Sequence, residues 1–424
     1  MIRKLGYMTA AALVAVAALL TGAAYIYFFL YLGVVATSLA YLLARRGLTN
    51  LEAGSWLDRQ QATVGDVLTV TYTLRSTARL PKPWLEVHSP STLPLAIPGR
   101  VISLGPRTAR TWAARVPLTD RGQYRVDPMV VRTGDPFGLF ESVASVGPGS
   151  ALLVHPPVAT LPAWHLPAAA IEGSVSRSEY GSSLTPLVTS VRPYTSGDAF
   201  NRIHWRSSAR HQELQVKEFD VERSADLWIF LDLERVHHGG GGAQSTIETC
   251  VEAAAAIAAH ALADDHAVGM EAIGLRRAVI TSDRGPRQQQ KIMSLLAVAQ
   301  AEGATPLAEM LVESGSRLRR GAVTIVITPS LDQSWVKPLA SIRSAAVPPT
   351  ACIVDPLAHV QATLAAGGQA QPDPTERQRF ERDLRAIRHA LGEHDIVSHV
   401  LAPGVPLGDQ LVSARHRSEV AALR

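Results

Sequence analysis

The chain has 424 residues, 41 basic and 37 acidic side chains, a formal charge of +4 and two cysteines. At 47% hydrophobic residues it is too apolar for a disordered polyelectrolyte, and two cysteines in this length exclude a small disulfide-framed module. Charge is nearly balanced, and 36 of the 41 basic residues are arginine, a bias that coding composition explains as readily as anion binding, so no nucleic acid is expected as a partner.

The first predicted element is a membrane anchor. No residue from Leu5 to Ala44 is charged, a run of 40 positions. One span takes about 20 residues to cross about 30 Å of hydrocarbon. The run therefore predicts two transmembrane helices joined by a tight turn near Thr21–Ala24, where Gly22 and its small neighbours permit a reversal. Arg3 and Lys4 precede the run and Arg45 and Arg46 follow it. Positive flanks at both ends place both termini in the cytoplasm, so residues 1–48 are expected to form a two-span hairpin in the cell membrane below cytoplasmic soluble domains. A cleaved signal peptide is the alternative, although its apolar part is ordinarily only about 7–15 residues long. Tyr25, Tyr27, Phe28, Phe29 and Tyr31 suit the interfacial level of a hairpin turn. A reducing compartment would keep Cys250 and Cys352 as thiols.

Residues 49–160 read as short alternating runs between Gly and Pro, which predicts a β-sandwich. Val67–Leu74 alternates with period two, and Leu85–Val87, Arg110–Val116, Gly122–Val131 and Ala151–Val154 repeat the pattern. Residues 161–224 are a connecting segment. From 225 to 424, apolar strands alternate with amphipathic helices, the pattern of a doubly wound α/β sheet. Leu227–Leu231, Ala267–Ile273, Ala322–Ile327, Thr350–Val354 and Asp395–Leu401 are the predicted strands, and Ser245–Ala263, Arg287–Gln300 and Asp373–Leu391 the helices between them. Ligands of such sheets bind at the carboxyl ends of the strands, which directs attention to Asp232, Thr305 and Thr328-Pro329-Ser330. His237-His238 precedes four glycines, 239–242, and reads as a flexible loop before it reads as a metal pair.

The connecting segment carries the densest motif: Arg192, Tyr194, Gly197, Asp198, Arg202, Trp205, Arg206 and Arg210. Asp198 follows Ser196-Gly197 and is placed to cap a helix. A helix from there to Arg210 would set Arg202, Arg206 and Arg210 four apart on one cationic face. That face suits planar anions such as phosphate or a nucleic-acid backbone. Against it, residues 177–223 hold seven basic and six acidic side chains, so pairing with Asp198, Glu213, Glu218, Asp220 and Glu222 would spend most of the field on bracing the fold.

These residues, with Arg121-Gly122-Gln123-Tyr124, Asp135-Pro136-Phe137-Gly138-Leu139-Phe140 and Gly303-Ala304-Thr305-Pro306-Leu307, resemble domain-of-unknown-function family 58 over most of the chain. The resemblance implies a membrane-anchored bacterial protein with a sandwich followed by a Rossmann-like von Willebrand factor A-type domain. It also implies genetic association with MoxR-type AAA+ ATPases and transglutaminase-like membrane proteins. Domains of that type often hold Mg²⁺ through Asp-x-Ser-x-Ser, a threonine and a later aspartate. Here Asp232 and Thr305 match, Glu234 and Val236 replace the serines, and Pro329 replaces the last aspartate. A distorted magnesium site through Asp232, Glu234 and Thr305 stays open beside a purely structural Asp232, which would cap a helix or pair with an arginine.

No phosphate-binding loop, dinucleotide fingerprint or serine-nucleophile elbow is present, and Ser334-Trp335-Val336-Lys337 lacks the partner motifs of the enzymes that use Ser-x-x-Lys. The expectation is a non-enzymatic, membrane-anchored adaptor or scaffold without a required cofactor. Its α/β domain would bind a protein partner, a MoxR-type ATPase by the resemblance, in assembly or cell-envelope-related processes. Anion, phosphate or nucleic-acid binding through the arginine face is the alternative.

Overall fold

The computed structural model describes residues 9, 12–16, 20, 22, 24–135, 138–161, 164, 187–195, 198, 200, 203–220, 226–315, 317–318, 322–342, 348–368 and 374–411. The chain divides into two compact units, Met1–Pro157 with Met293–Val298, and Val158–Ile292 with Ala299–Arg424.

The first unit opens on helix α1 (Ala24–Gly47), whose 24 residues end on Arg45 and Arg46. At 1.5 Å per residue it is about 36 Å long, and by length and composition it can cross a membrane. Most of its side chains are exposed: Phe28 is 64% and Val35 63% exposed, and within the helix only Ala40 and Ala44 are buried. Gly22 has φ +64°, a left-handed conformation that interrupts a helix just before α1. Residues 12–16 are helical, and most of the first predicted span falls outside the described residues.

Ten strands follow: β1 (Leu51–Leu57), β2 (Gln61–Thr63), β3 (Val67–Ser76), β4 (Lys82–His88), β5 (Arg100–Leu104), β6 (Ala109–Pro117), β7 (Gly122–Val126), β8 (Met129–Gly134), β9 (Glu141–Val146) and β10 (Ser150–His155). They form three sheets, β1-β3-β6, β2-β10-β7 and β5-β4-β8-β9. All pairings are antiparallel except β2 with β10. Strand period two decides the core: along β3, Leu68, Val70, Tyr72 and Leu74 point inward, where they meet Leu85, Val131 and Val154 from the other sheets. The single run expected over Gly122–Val131 is two strands. Asp127-Pro128 breaks it, since proline has no N–H for the ladder, and the chain passes from one sheet to another.

Helix α1 is tied to this unit through Lys82, the first residue of β4. Its buried ammonium donates to the carbonyls of Arg46, Gly47 and Thr49 at 3.2, 2.7 and 2.8 Å. The first two are acceptors that a helix C-terminus leaves without intrahelical partners, and the third belongs to the turn that follows. Tyr41 packs edge-on against Phe140, and the Phe140 N–H donates to the Asp135 carboxylate.

The second unit contains a two-stranded antiparallel ladder, β11 (Leu187–Pro193) with β12 (Gln215–Asp220), joined through helix α2 (Trp205–His211). It also contains a six-stranded sheet of β13 (Leu227–Leu231), β14 (Val268–Ile273), β15 (Arg277–Asp283), β16 (Val323–Thr328), β17 (Thr350–Val354) and β18 (Val397–Leu401). Their spatial order is β15-β14-β13-β16-β17-β18, parallel throughout except for the edge strand β15. Every residue of β16 and β17 is buried, as a strand covered on both faces requires. Helix α3 (Thr246–Ala263) packs on one face. On the other, Phe230 and Val326 meet helices α5 (Leu307–Gly315), α6 (Val336–Ser341) and α8 (Pro374–Glu393) through Leu311, Leu339 and Ile387. Helix α4 (Pro286–Val298) lies between β15 and α5, α7 (Pro356–Ala366) follows β17, and α9 (Leu407–Leu411) ends the described chain. Helix α3 is apolar and long enough to pass as a membrane span, but 67% of its most apolar window is buried, so it is a core helix here. Both cysteines are free and buried, and burial pushes the Cys352 thiol up to about 12.

Candidate functional site

The sheet order puts a topological switch point between β13 and β16, because the chain leaves β13 toward β14 on one side and returns to β16 on the other. Crevices at such points open at the carboxyl ends of the strands. Asp232 lies at the end of β13 and Thr328 at the end of β16, and the Thr328 hydroxyl donates to Asp232 Oδ2 at 2.6 Å. Asp232 Oδ1 accepts the Glu234 N–H at 2.9 Å. Burial pushes the Asp232 carboxyl up, opposed by those two hydrogen bonds and by nearby His237. Among the described residues Asp232 pairs with no arginine and caps no helix, so neither structural role expected for it holds. It clasps two central strands instead.

Around it stands a rim in which the sequence pattern singled out Glu234 and His237 but not Asp332. Glu234 lies 3.4 Å from His237, and both are within electrostatic reach of Asp332. Asp332 Oδ2 accepts the Ser334 hydroxyl at 2.5 Å, which holds its carboxyl below the usual range. Ser334 is thus engaged in a local turn and makes no hydrogen bond to Lys337 among the described residues. Arg235 and Val236 project from the same turn, Val236 at 76% exposure. His238 turns inward. One ring nitrogen, Nε2, bonds the Asp232 carbonyl at 3.0 Å, and Nδ1 bonds Thr246 Oγ1 at 3.0 Å. A carbonyl only accepts, so Nε2 carries the proton and Nδ1 accepts from the threonine hydroxyl. Burial holds this imidazole neutral, down to about 4. The glycine loop is therefore tied to the fold through His238, and the Gly239 N–H adds a bond to Thr246 Oγ1 at 3.0 Å.

Gly303 pairs with Glu234 in an isolated parallel bridge. A Cβ there would lie 2.5 Å from the Ile273 carbonyl oxygen and 2.9 Å from that of Leu233, so only glycine fits between the two strand ends. Thr305 follows two residues later, partly exposed and with no side-chain hydrogen bond among the described residues. This donor set does not fit magnesium as placed. Both Asp232 oxygens are committed, Thr305 is not joined to them, and among the described residues no three His, Cys, Asp or Glu side chains converge as metal ligands.

The connecting segment differs from expectation at Asp198. Helix α2 starts at Trp205, and its cap is His204, whose Nδ1 accepts the Ser207 N–H. Asp198 instead forms a bidentate pair with Arg192, at 2.7 and 2.8 Å, and accepts the Thr195 N–H at 2.9 Å. The Arg192 guanidinium and these bonds hold the Asp198 carboxyl far below the usual carboxylate range. The turn is a closed Arg–Asp clasp at the end of β11. Its ring neighbour Tyr194 lies 6.0 Å from Phe200. Gly197 and Arg202 fall outside the described residues. Arg206 and Arg210 are exposed one turn apart on α2 with no acidic partner among the described residues, beside Trp205, 67% exposed. Of the acidic partners expected for them, Asp198 pairs with Arg192 instead, and the side chains of Glu218, Asp220 and Glu222 lie outside the described residues.

A Bacillus subtilis protein described as "Uncharacterized protein YeaD" is 27% identical over 307 residues, 70% of this chain and 75% of that one. Among solved structures, a Pyrococcus furiosus CARDB domain in complex with di-metal ions shares 14% identity over 24% of this chain and 91% of its own, with a TM-score of 0.19. The Pseudomonas fluorescens alkylpurine DNA glycosylase AlkC shares 14% over 28% and 37%, with a TM-score of 0.18. Likeness that slight carries nothing about fold or chemistry. The segment that holds the Arg–Asp clasp, the strand-end crevice and Gly303, residues 190–393, matches the family model described as "Protein of unknown function DUF58".

Proposed function

We propose that the chain is a non-enzymatic adaptor, anchored in the cell membrane through α1 and its preceding apolar segment, with its soluble units in the cytoplasm. In this reading the three sheets of the first unit act as a β-sandwich spacer. The α/β unit acts as a von Willebrand factor A-type recognition domain, and its partner is a MoxR-type AAA+ ATPase. A transglutaminase-like membrane protein is a further candidate.

The observation that carries the reading is the state of the strand ends around Asp232. The carboxylate best placed for chemistry, Asp232, is committed to the fold's own hydrogen bonds. The rim offers Glu234 and Asp332 beside Arg235 and the exposed Val236. Mixed charge around an exposed apolar residue suits a protein surface better than a small substrate. The test is affinity purification of the full chain from native membranes, side by side with a Val236→Asp variant. Recovery of an AAA+ ATPase that the variant weakens supports the reading. Consistent absence of such an ATPase from the wild-type eluate overturns it.

A second reading rests on Arg206 and Arg210, which stand unpaired among the described residues beside Trp205. Guanidinium groups with an adjacent aromatic suit phosphate or single-stranded nucleic acid. This reading requires binding that weakens steeply with salt.

A further inference from the structure

We propose that a groove between the end of α1 and the strands of the first unit binds one anionic phospholipid. The inference rests on the membrane anchoring proposed above. The groove encloses about 750 Å³ and is lined by Leu39, Leu42, Leu43 and Arg46 of α1 on one side and by Arg79, Leu80 and Trp84 on the other. That volume is in the range of sites that hold a drug-sized ligand.

Depth and charge identify the occupant. The three leucines precede Arg46 by three to seven residues, or about 5–10 Å along the helix axis. A helix that leaves the bilayer at Arg45 and Arg46 puts its arginines at headgroup level and these leucines at the level of the first acyl carbons. The opposite wall has the same composition, with Leu80 60% exposed, Trp84 41% exposed and Arg79 next to Leu80 in the chain. Tryptophan is the side chain most at home at that boundary. Along the α1 wall, groove and bilayer are thus stratified alike, apolar below and cationic above.

Three cations and one carboxylate line the groove: Arg46, Arg79 and Lys82 against Asp135. The Lys82 ammonium is engaged by three carbonyls, so it supplies field rather than a free donor. Asp135 is engaged by the Phe140 N–H. Arg46 and Arg79 are exposed and form no ion pair among the described residues. Two free guanidinium groups above an apolar slot match a phosphodiester that carries acyl chains. A zwitterionic headgroup would bring its own cation against them, and a free phosphate would leave the leucines and Trp84 in water.

The test uses the full chain purified in detergent with equal amounts of phosphatidylglycerol and phosphatidylcholine, and native mass spectrometry to count retained lipid. The expected result is preferential retention of one phosphatidylglycerol. Arg46→Gln and Arg79→Gln should each lower that preference about fivefold, since one basic residue at an anionic surface contributes that much. Leu80→Asp, at an exposed position, should also abolish it. Equal retention of the two lipids, or a double arginine variant that keeps the preference within twofold, overturns the proposal. So does displacement of the lipid by millimolar inorganic phosphate, which would mean a bare anion site. Alkaline carbonate extraction of native membranes separates the two levels of failure. Release of the chain overturns the anchor and the lipid site together, whereas retention without lipid preference overturns the lipid site alone.

Discussion

Lys82 is the residue whose loss should most directly loosen the anchor from the first unit. Its ammonium donates to three carbonyls at the C-terminal end of α1, at 2.7, 2.8 and 3.2 Å, and the side chain is only 4% exposed. Hydrogen bonds from a charged donor contribute about 1.5–3 kcal/mol each, a gross gain of about 4.5–9 kcal/mol. Burial of an ammonium costs several kcal/mol, and that cost lowers the Lys82 pKa. The Arg46 carbonyl also accepts from the Thr49 N–H and hydroxyl, so the net, about 3 kcal/mol, rests mainly on the Gly47 and Thr49 carbonyls. Lys82→Met keeps most of the aliphatic stem and removes the donors. Limited trypsin digestion reads the result, because Arg45 and Arg46 become cleavable only when the helix end opens. When opening is fast and reversible, cleavage follows the population of the open form. A loss of about 3 kcal/mol should therefore speed cleavage there roughly a hundredfold. Lys82→Arg, which keeps charged donors in reach of the same carbonyls, should recover most of the protection. Acceleration below about threefold in Lys82→Met would refute the view that this cation holds the helix end.

The His238 imidazole stays neutral in the fold down to about 4, against an ordinary value of 6.5. Its contribution to stability is thus complete above about pH 6.5, falls as pH drops toward 4 and totals up to about 3 kcal/mol. Urea midpoints from pH 7.5 to 4.5 should decline less in His238→Gln than in the parent chain, and parallel curves would reject the assignment. Glu271, 1% exposed, accepts from Arg277 Nε at 2.7 Å and from the Ser314 hydroxyl at 2.7 Å. Glu271→Ala removes the acceptor of both groups while Arg277 keeps Glu313 and Ser314 as partners, so it should cost about 1–3 kcal/mol in denaturant unfolding of the α/β unit. Gly303→Ala forces a Cβ against two carbonyl oxygens. It should lower the thermal midpoint of the full chain by several degrees, whereas Gly392→Ala, in open space, should not. For oligonucleotide binding through the arginine face, the Arg206→Ala/Arg210→Ala double variant should reduce the slope of log affinity against log salt by about two, and an unchanged slope would remove that face from consideration.

What the sequence made legible follows from which forces are local. The parallel strands were readable because burial on both faces demands an unbroken apolar run, as in Leu227–Leu231. β3 was readable because one buried face demands strict alternation. β15 was not, since an edge strand with alternating half-exposed residues, Arg277-Ala278-Val279-Ile280-Thr281-Ser282-Asp283, has no stronger pattern than a loop. The last strand was placed two residues early, at Asp395. That residue has φ +54°, a turn conformation in which the strand cannot begin. At the candidate site, Asp232 was legible from its position after an apolar strand. Thr328 was legible only as part of a strand end, and Asp332 and His238 were not legible as its neighbours, because their roles depend on chain segments far from Asp232 in sequence or on which way a loop side chain turns. Asp198 was misread for a related reason. Its carboxylate takes the Arg192 guanidinium six residues upstream together with the Thr195 N–H, and the helix begins only at Trp205 with His204 as its cap.

The same competition shapes the crevice. A buried carboxylate at a switch point has two ways to be stabilised: a bound cation, or donors supplied by the fold. Here the donors come from β16 and from the backbone of the next turn, and they take both oxygens. Any cation would have to displace a 2.6 Å hydroxyl bond in a site 2% exposed, and Glu234 and Val236, next but one along the turn, offer it no hydroxyl ligand. The Asp232–Thr328 bond thus works as a bolt across the two central strands. It fixes the loops above them, and what those loops present outward is a rim of Glu234, Arg235, Val236 and Asp332. Asp232→Asn tests that division of labour. It should lower stability while leaving partner recovery intact once the chain is folded, whereas Val236→Asp should do the reverse.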